Sequence, residues 1–203
     1  MMVLSFPKCG RTWIRVFAHH YNLLTRYDKL NLYFKHQLPE DKRHTRKLLL
    51  VRDPCDVLVS WYFYQMTRNY QWESVIDKFA KKHVDNLVED WGKWKDNENQ
   101  FVVRYEDLFH HKWSVILENF GIKEDTYATR KADYVSDFHI IKANLSYYTS
   151  LKEGWRYGQE DPFDPESAKF RKGIVGGYIN YLKQDTIDYI KEITKEVDQW
   201  QTV

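Results

Sequence analysis

"SFPKCGRTW", residues 5–13, closes the short apolar run "MVLSF" (2–6) and opens "TWIRVFAHHYNLL" (12–24). The first run reads as a buried strand, and the last as a helix with Trp13, Val16, Phe17 and Tyr21 on one face. The quoted stretch is therefore the turn of a strand-loop-helix unit. Gly10 lets the backbone approach an anion, while the helix beginning near Thr12 offers unpaired N–H groups and the positive end of its dipole. Lys8 adds a mobile charge, and Thr12 a hydroxyl donor. The spacing is not the GxxxxGK[ST] of a nucleotide triphosphatase. Alone, these residues would serve an ordinary strand-to-helix turn equally well.

A second unit sharpens the reading. "KLLLVRDP" (47–54) has the continuous apolar run of a central strand in a parallel sheet, and it ends at Arg52. Asp53 and Pro54 then make a helix start, an acidic cap before a first-turn proline, and "CDVLVSWYFYQM" continues with helical spacing. Ser60 falls about two turns into that helix. In a triphosphatase the corresponding strand ends in an Asp that holds Mg²⁺ through water. An arginine there, with a hydroxyl nearby, suits direct phosphate binding by a fork of donors without a metal.

Further helices are predicted over 73–81 and 84–96, then a third strand in "QFVVRYEDL" (100–108) and an amphipathic helix in "KWSVILENFGI" stopped by Gly121. Residues 146–177 read as a long loop, rich in Gly and Pro. A last helix is predicted over 178–199, with Ile187, Ile190, Ile193 and Val197 toward the core. Alternating strands and helices predict an α/β three-layer fold around a central parallel sheet. A length of 203 residues fits one domain, 1–203.

Composition narrows the functional classes. A net charge of +2 gives no reason to expect nucleic acid or a membrane surface as partner, so an anion site must come from local clustering. The basic run "KRHTRK" (42–47) is read as a solvated face. No apolar run approaches the roughly 20 residues of a membrane span, and the two cysteines, Cys9 and Cys55, sit inside motifs rather than in a disulfide framework. A soluble, cytoplasmic chain is expected.

Four motifs in order carry a family resemblance. "FPKCGRTW" resembles the phosphosulfate loop YPKSGTTW of the sulfotransferases, and "VRDPCDVLVSWYFY" resembles their 3′-phosphate motif R-x-P-x-D-x-x-x-S. "VVRYEDL" (102–108) is similar to their tyrosine-bearing strand end, and "FRKGIVGGY" (170–178) to their F-x-R-K-G-x-x-G-D-W segment. The resemblance implies a P-loop nucleotide-hydrolase-like fold and the donor 3′-phosphoadenosine 5′-phosphosulfate (PAPS), with adenosine 3′,5′-bisphosphate (PAP) as product. It implies that Lys8, Cys9, Gly10, Arg11, Thr12 and Trp13 surround the phosphosulfate, with Trp13 packing on the adenine. Arg52 and Ser60 match the 3′-phosphate ligands, and Arg171, Lys172 and Gly173 the segment closing over it. Tyr105, Ser136 and Phe138 match adenine contacts.

The implied chemistry is in-line sulfuryl transfer to a hydroxyl or amine of a small-molecule, glycan or tyrosyl acceptor, in which positioning and charge stabilisation do most of the work. Lys8 is the candidate to stabilise charge on the leaving phosphate. "FKHQLP" (34–39) resembles the family's K-T-H-L-P, which makes His36 the candidate base and Lys35 an assistant to Lys8, with Glu40 as a fallback base. His19 and His20 are read as structural. Two departures stand out: Gly176, Gly177 and Tyr178 replace G-D-W, and only about residues 25–33 join the first helix to the histidine region. The latter predicts a reduced acceptor pocket, open or completed by another chain. Two rivals follow: a noncatalytic PAP-binding module, and a P-loop kinase disfavoured by the missing GxxxxGK[ST] and by Arg52.

Overall fold

The computed structural model describes residues 2–21, 33–35, 46–66, 74–95, 100–143 and 173–196. Among these, β1 (Met2–Ser5), β2 (Tyr33–Lys35), β3 (Lys47–Val51) and β4 (Gln100–Arg104) form one sheet in the order β2-β1-β3-β4. Every pairing is parallel: Leu4 lies opposite Lys35 on one side and Leu49 on the other, and Leu49 lies opposite Val102. All four strands thus end on one edge. The interior strands β1 and β3 are buried along their whole length, as expected where helices cover both faces.

α1 (Arg11–His20) follows β1, and α2 (Pro54–Met66) and α3 (Ile76–Lys95) lead from β3 to β4. Beyond β4 come α4 (Tyr105–Phe109), α5 (Trp113–Asn119), α6 (Thr126–Ser136) and α7 (Phe138–Ala143). A 3₁₀ turn (Gly177–Asn180) and α8 (Gln184–Ile193) complete the described chain. From the middle of the sheet, β1 leads one way to β2 and β3 the other way to β4. Right-handed crossovers then place α1 and α2 on opposite faces. The packing agrees: α1 lies on α6, whereas α2, α3 and α8 lie on one another. The α/β architecture is the expected one, and its topological switch point, where ligands bind in such sheets, falls between the ends of β1 and β3.

Local chemistry sets the element ends. Asp53 caps α2, its Oδ1 accepting from the N–H groups of Cys55 (2.8 Å) and Asp56 (3.1 Å). α5 ends in a Schellman motif at Gly121 (φ 69°), with Gly121 N–H bonded to Glu118 O and Ile122 N–H to Leu117 O. On the α1 face the core is aromatic: Phe17 stacks on Trp113 at 3.8 Å, and Trp13 meets Trp113 and Tyr105 edge to face. On the other face Trp61 meets Phe6, Phe79 and His83.

Several elements differ from expectation. The helices predicted over 73–81 and 84–96 are one continuous helix, α3. Its charged middle hides a buried ring, His83, which is 8% exposed and packed on Trp61 and Phe79. The strand read in 100–108 stops at Arg104, and its expected polar turn is the short helix α4, in which Tyr105 and Leu108 are buried one helical turn apart. α6 and α7 were not anticipated. The buried stripe of α6 is Thr129, Ala132 and Ser136, too small and polar to register as hydrophobic periodicity, although Asp125 caps it through Tyr127 and Ala128. The last helix begins only at Gln184, after Lys183 in an extended conformation. Ile187 and Ile190 are buried as expected, but Ile193 is 37% exposed; Thr194 takes the next core position and donates its hydroxyl to Ile190 O. Val197 and most of the predicted loop 146–177 lie outside the described residues. Among the described residues no helix is long and apolar enough to cross a membrane.

Candidate functional site

The ends of β1, β3 and β4 bring three sequence-distant groups together at the switch point. The loop after β1 turns through two left-handed residues, Lys8 (φ 74°) and Gly10 (φ 88°), before α1 begins at Arg11. Glycine is required at position 10, since a Cβ there would lie 2.7 Å from Cδ2 and 3.0 Å from Cε2 of the buried Tyr105 ring. Gly10→Ala is expected to destabilise the protein by about 2–4 kcal/mol, left-handed strain adding to overpacking, and to lower its urea midpoint. An unchanged midpoint would mean that Tyr105 does not support the loop.

Arg52, immediately after β3, is 8% exposed. Its Nη1 donates to Lys8 O (3.1 Å), its Nη2 to Ile174 O (3.0 Å), and its guanidinium lies 4.1 Å from the centre of the Tyr105 ring. Asp56 Oδ2 stands 3.7 Å from Nη2. Two of the five guanidinium N–H groups are thus spent on backbone carbonyls, while the buried Nε has no hydrogen-bond partner among the described residues. The buried Trp13 Nε1 is in the same condition. α1 carries no acid in its first turn to answer its dipole. A cluster of cationic side chains and backbone donors at these strand ends is a fit for a phosphorylated ligand.

Lys8 extends its ammonium to 4.6 Å from the centre of the Tyr64 ring on α2. Arg11 is lowered to about 10 by burial and by Arg15, and so stays charged at neutral pH. The Cys9 thiol faces the core, fully buried and pushed up to about 12 by desolvation, so only its backbone is suited to an anion. Thr12 and Ser60 are half-buried, in the first turn of α1 and on α2. Tyr105 is 5% exposed and serves as the post under Gly10 and Arg52. Ser136 is fully buried at the end of α6, its hydroxyl donating to Asp133 O (3.0 Å).

Lys35 ends β2 on the same sheet edge, opposite Leu4. His36, Glu40, Arg171 and Lys172, and the side chains of Lys35 and Phe138, lie outside the described residues. Gly173 opens the final described segment with φ 62°. His19 and His20 close the far end of α1, a ten-residue helix, about 15 Å from the loop.

Two acids that the sequence reading gave no role complete the site. Glu106 Oε1 accepts the N–H of Asp53 (3.3 Å), and Asp56 accepts the N–H groups of Gly176 and Tyr178. The signal for Asp56 was present as the Asp of R-x-P-x-D, in the first turn of α2. Asp53 and Asp56 accept backbone N–H groups, as does Glu106 through Oε1 alone, its buried Oε2 having no hydrogen-bond partner among the described residues; no group of three or more His, Cys, Asp or Glu among the described residues could hold a metal ion.

Burial pushes the Asp53 carboxyl up to about 6; Asp56 and Glu106 add to this, and its own cap bonds oppose it. The folded value exceeds the unfolded one, so the folded state holds this proton more tightly. The stabilisation is full below about pH 4 and is lost as pH rises through about 6. Asp53→Asn keeps a competent cap. Relative to wild type, it is expected to gain roughly 2–3 kcal/mol between pH 4 and pH 8 in urea unfolding. Parallel pH profiles would contradict this.

The comparisons with known proteins give the fold from solved structures and the family from a domain profile. Mouse sulfotransferase SULT7A1, solved with PAP, superposes with a TM-score of 0.74 at 19% identity over 100% of this chain and 86% of its own. A retinol dehydratase, solved with androsterone and inactive cofactor PAP, gives 0.68 at 15% identity over 96% of this chain and 79% of its own. No curated protein matches the chain in sequence. A sulfotransferase domain profile matches residues 33–200, which takes in Arg52, Ser60, Tyr105 and the final segment and leaves the glycine loop to the structure. With that match over most of its length, the chain belongs to the sulfotransferase domain family.

Proposed function

We propose that this sulfotransferase takes its sulfuryl group from PAPS and passes it in line to a hydroxyl or amine of a small-molecule, glycan or tyrosyl acceptor, releasing PAP. The observation that carries the reading is Arg52: a buried guanidinium at the end of a central strand, beside the α1 N-terminus, with its Nε unpartnered among the described residues. Such a group is costly unless an acceptor completes it, and a 3′-phosphate with close to two negative charges is suited to do so.

In this reading Arg52 and Ser60 hold the 3′-phosphate, and Arg171, Lys172 and Gly173 close over it. Lys8, Cys9, Gly10, Arg11, Thr12 and Trp13 surround the phosphosulfate, those beyond Lys8 chiefly through backbone N–H groups and the α1 dipole. Trp13, Tyr105, Ser136 and Phe138 form the adenine side. Lys8 offsets charge on the leaving phosphate, with Lys35 beside it, and His36 receives the acceptor proton. The reading needs no metal, because arginines and helix N–H groups supply the positive field. Of the aromatic residues of α2, Tyr62 and Phe63 pack on Phe79 and Tyr181, while Tyr64 lies under the Lys8 ammonium.

The test is ³⁵S-labelled PAPS offered with phenols, alcohols, amines, sugars and tyrosyl peptides, with and without chelator. Labelled product that persists under chelation is the expected result. ATP-dependent transfer that requires a metal would sink the reading in favour of a kinase. PAP binding without transfer to any acceptor would favour a noncatalytic module, the rival that the short connection between α1 and β2 keeps in play.

A further inference from the structure

The final described segment is fastened to α2 through its backbone. Asp56 Oδ2 accepts the N–H of Gly176 (2.8 Å), and Asp56 Oδ1 accepts that of Tyr178 (3.1 Å). Arg52, paired with the same carboxylate, donates to the carbonyl of Ile174 and, through its other nitrogen, to that of Lys8. Both side chains are at least nine-tenths buried. Gly176 stands at φ 73°, a conformation that brings the two N–H groups onto one carboxylate at low cost. At Gly177 a Cβ would lie 2.8 Å from Ile174 Cδ1 and 3.9 Å from Asp56 Oδ1, so an acid at that position would set a second carboxylate against Asp56.

We infer that Asp56 is a positioning residue. With Arg52 it forms a clasp that locks the segment 174–178 to the glycine loop, and Asp56 itself sets the geometry of the donor site without touching the donor. The inference rests on the proposed donor reading. Two loops that meet only through a ligand would each have to be ordered when it binds, whereas a clasp already holding both removes that cost. The clasp grips main-chain N–H and C=O groups, and it does so across two positions suited to glycine. That is consistent with Gly176-Gly177-Tyr178 standing where the resembling family has G-D-W.

The test uses Asp56→Asn, nearly isosteric but with one acceptor oxygen and an NH₂ that meets a backbone N–H. Amide exchange is measured on the full chain without nucleotide, together with PAP affinity and the KM for PAPS and for acceptor. Amide exchange at Gly176 and Tyr178 is expected to rise about tenfold to a hundredfold while β1 and β3 keep their protection. PAP affinity should fall by about the same factor, and the KM for PAPS should rise with that of the acceptor unchanged. Should Asp56→Asn fail to fold, Asp56→Glu keeps the charge beside Arg52 and misplaces the oxygens, and is expected to move the same amides and the same constant. Unchanged exchange at 176 and 178, or wild-type PAP affinity despite raised exchange, would overturn the inference. If the wild type itself binds no PAP, the donor reading fails, and exchange alone decides whether Asp56 holds the segment.

Discussion

Arg52→Ala is expected to lose PAP binding by a factor of about 100 or more and to lose roughly 3–5 kcal/mol of stability, since Asp56 is left as a buried charge without its cation. The same change frees the carbonyls of Lys8 and Ile174 and strips the cation from the face of Tyr105. Calorimetric titration with PAP reads the first effect and urea unfolding the second. Arg52→Lys separates them: it keeps a charge near Asp56 but has no planar fork, so it should recover part of the stability and little of the affinity. A normal PAP affinity in either variant would refute the placement of the 3′-phosphate.

Lys8→Ala should have the largest effect on turnover, a fall in kcat of about 100-fold or more with PAP affinity changed far less. Lys8 sits at φ 74°, where a non-glycine residue is strained, and its ammonium is seated over Tyr64 rather than in the core. Alanine bears the same backbone strain, so loop geometry should survive and the lost charge should dominate. Single-turnover measurements with PAPS already bound isolate the chemical step. An unchanged rate there would remove Lys8 from the catalytic role and leave it as a donor ligand.

Most of the architecture was legible where physical chemistry acts locally. Apolar runs at 2–6 and 47–51 announced buried parallel strands, Asp53-Pro54 announced α2, and Gly121 announced the end of α5. Illegible elements were those whose buried faces are chemically atypical. α6 buries Thr129, Ala132 and Ser136; α3 carries a buried histidine through its charged middle; α8 continues its stripe with Thr194 instead of Ile193. A pattern of hydrophobic residues cannot report a face made of small or polar groups whose burial is decided by the neighbouring helix.

The site divides the same way. Sequence alone determined which residues follow each central strand: a glycine loop with Lys8 before the α1 N-terminus after one, and Arg52 after the other. Those are local matters of spacing, charge and backbone freedom. Only the tertiary structure decided that Arg52 reaches 44 residues back to Lys8 and 122 forward to Ile174, and that Asp56 grips Gly176 and Tyr178. Those bonds use main-chain N–H and C=O groups. Every residue except proline offers both, so no spelling of the segment can announce them before the sheet has set β1 and β3 side by side.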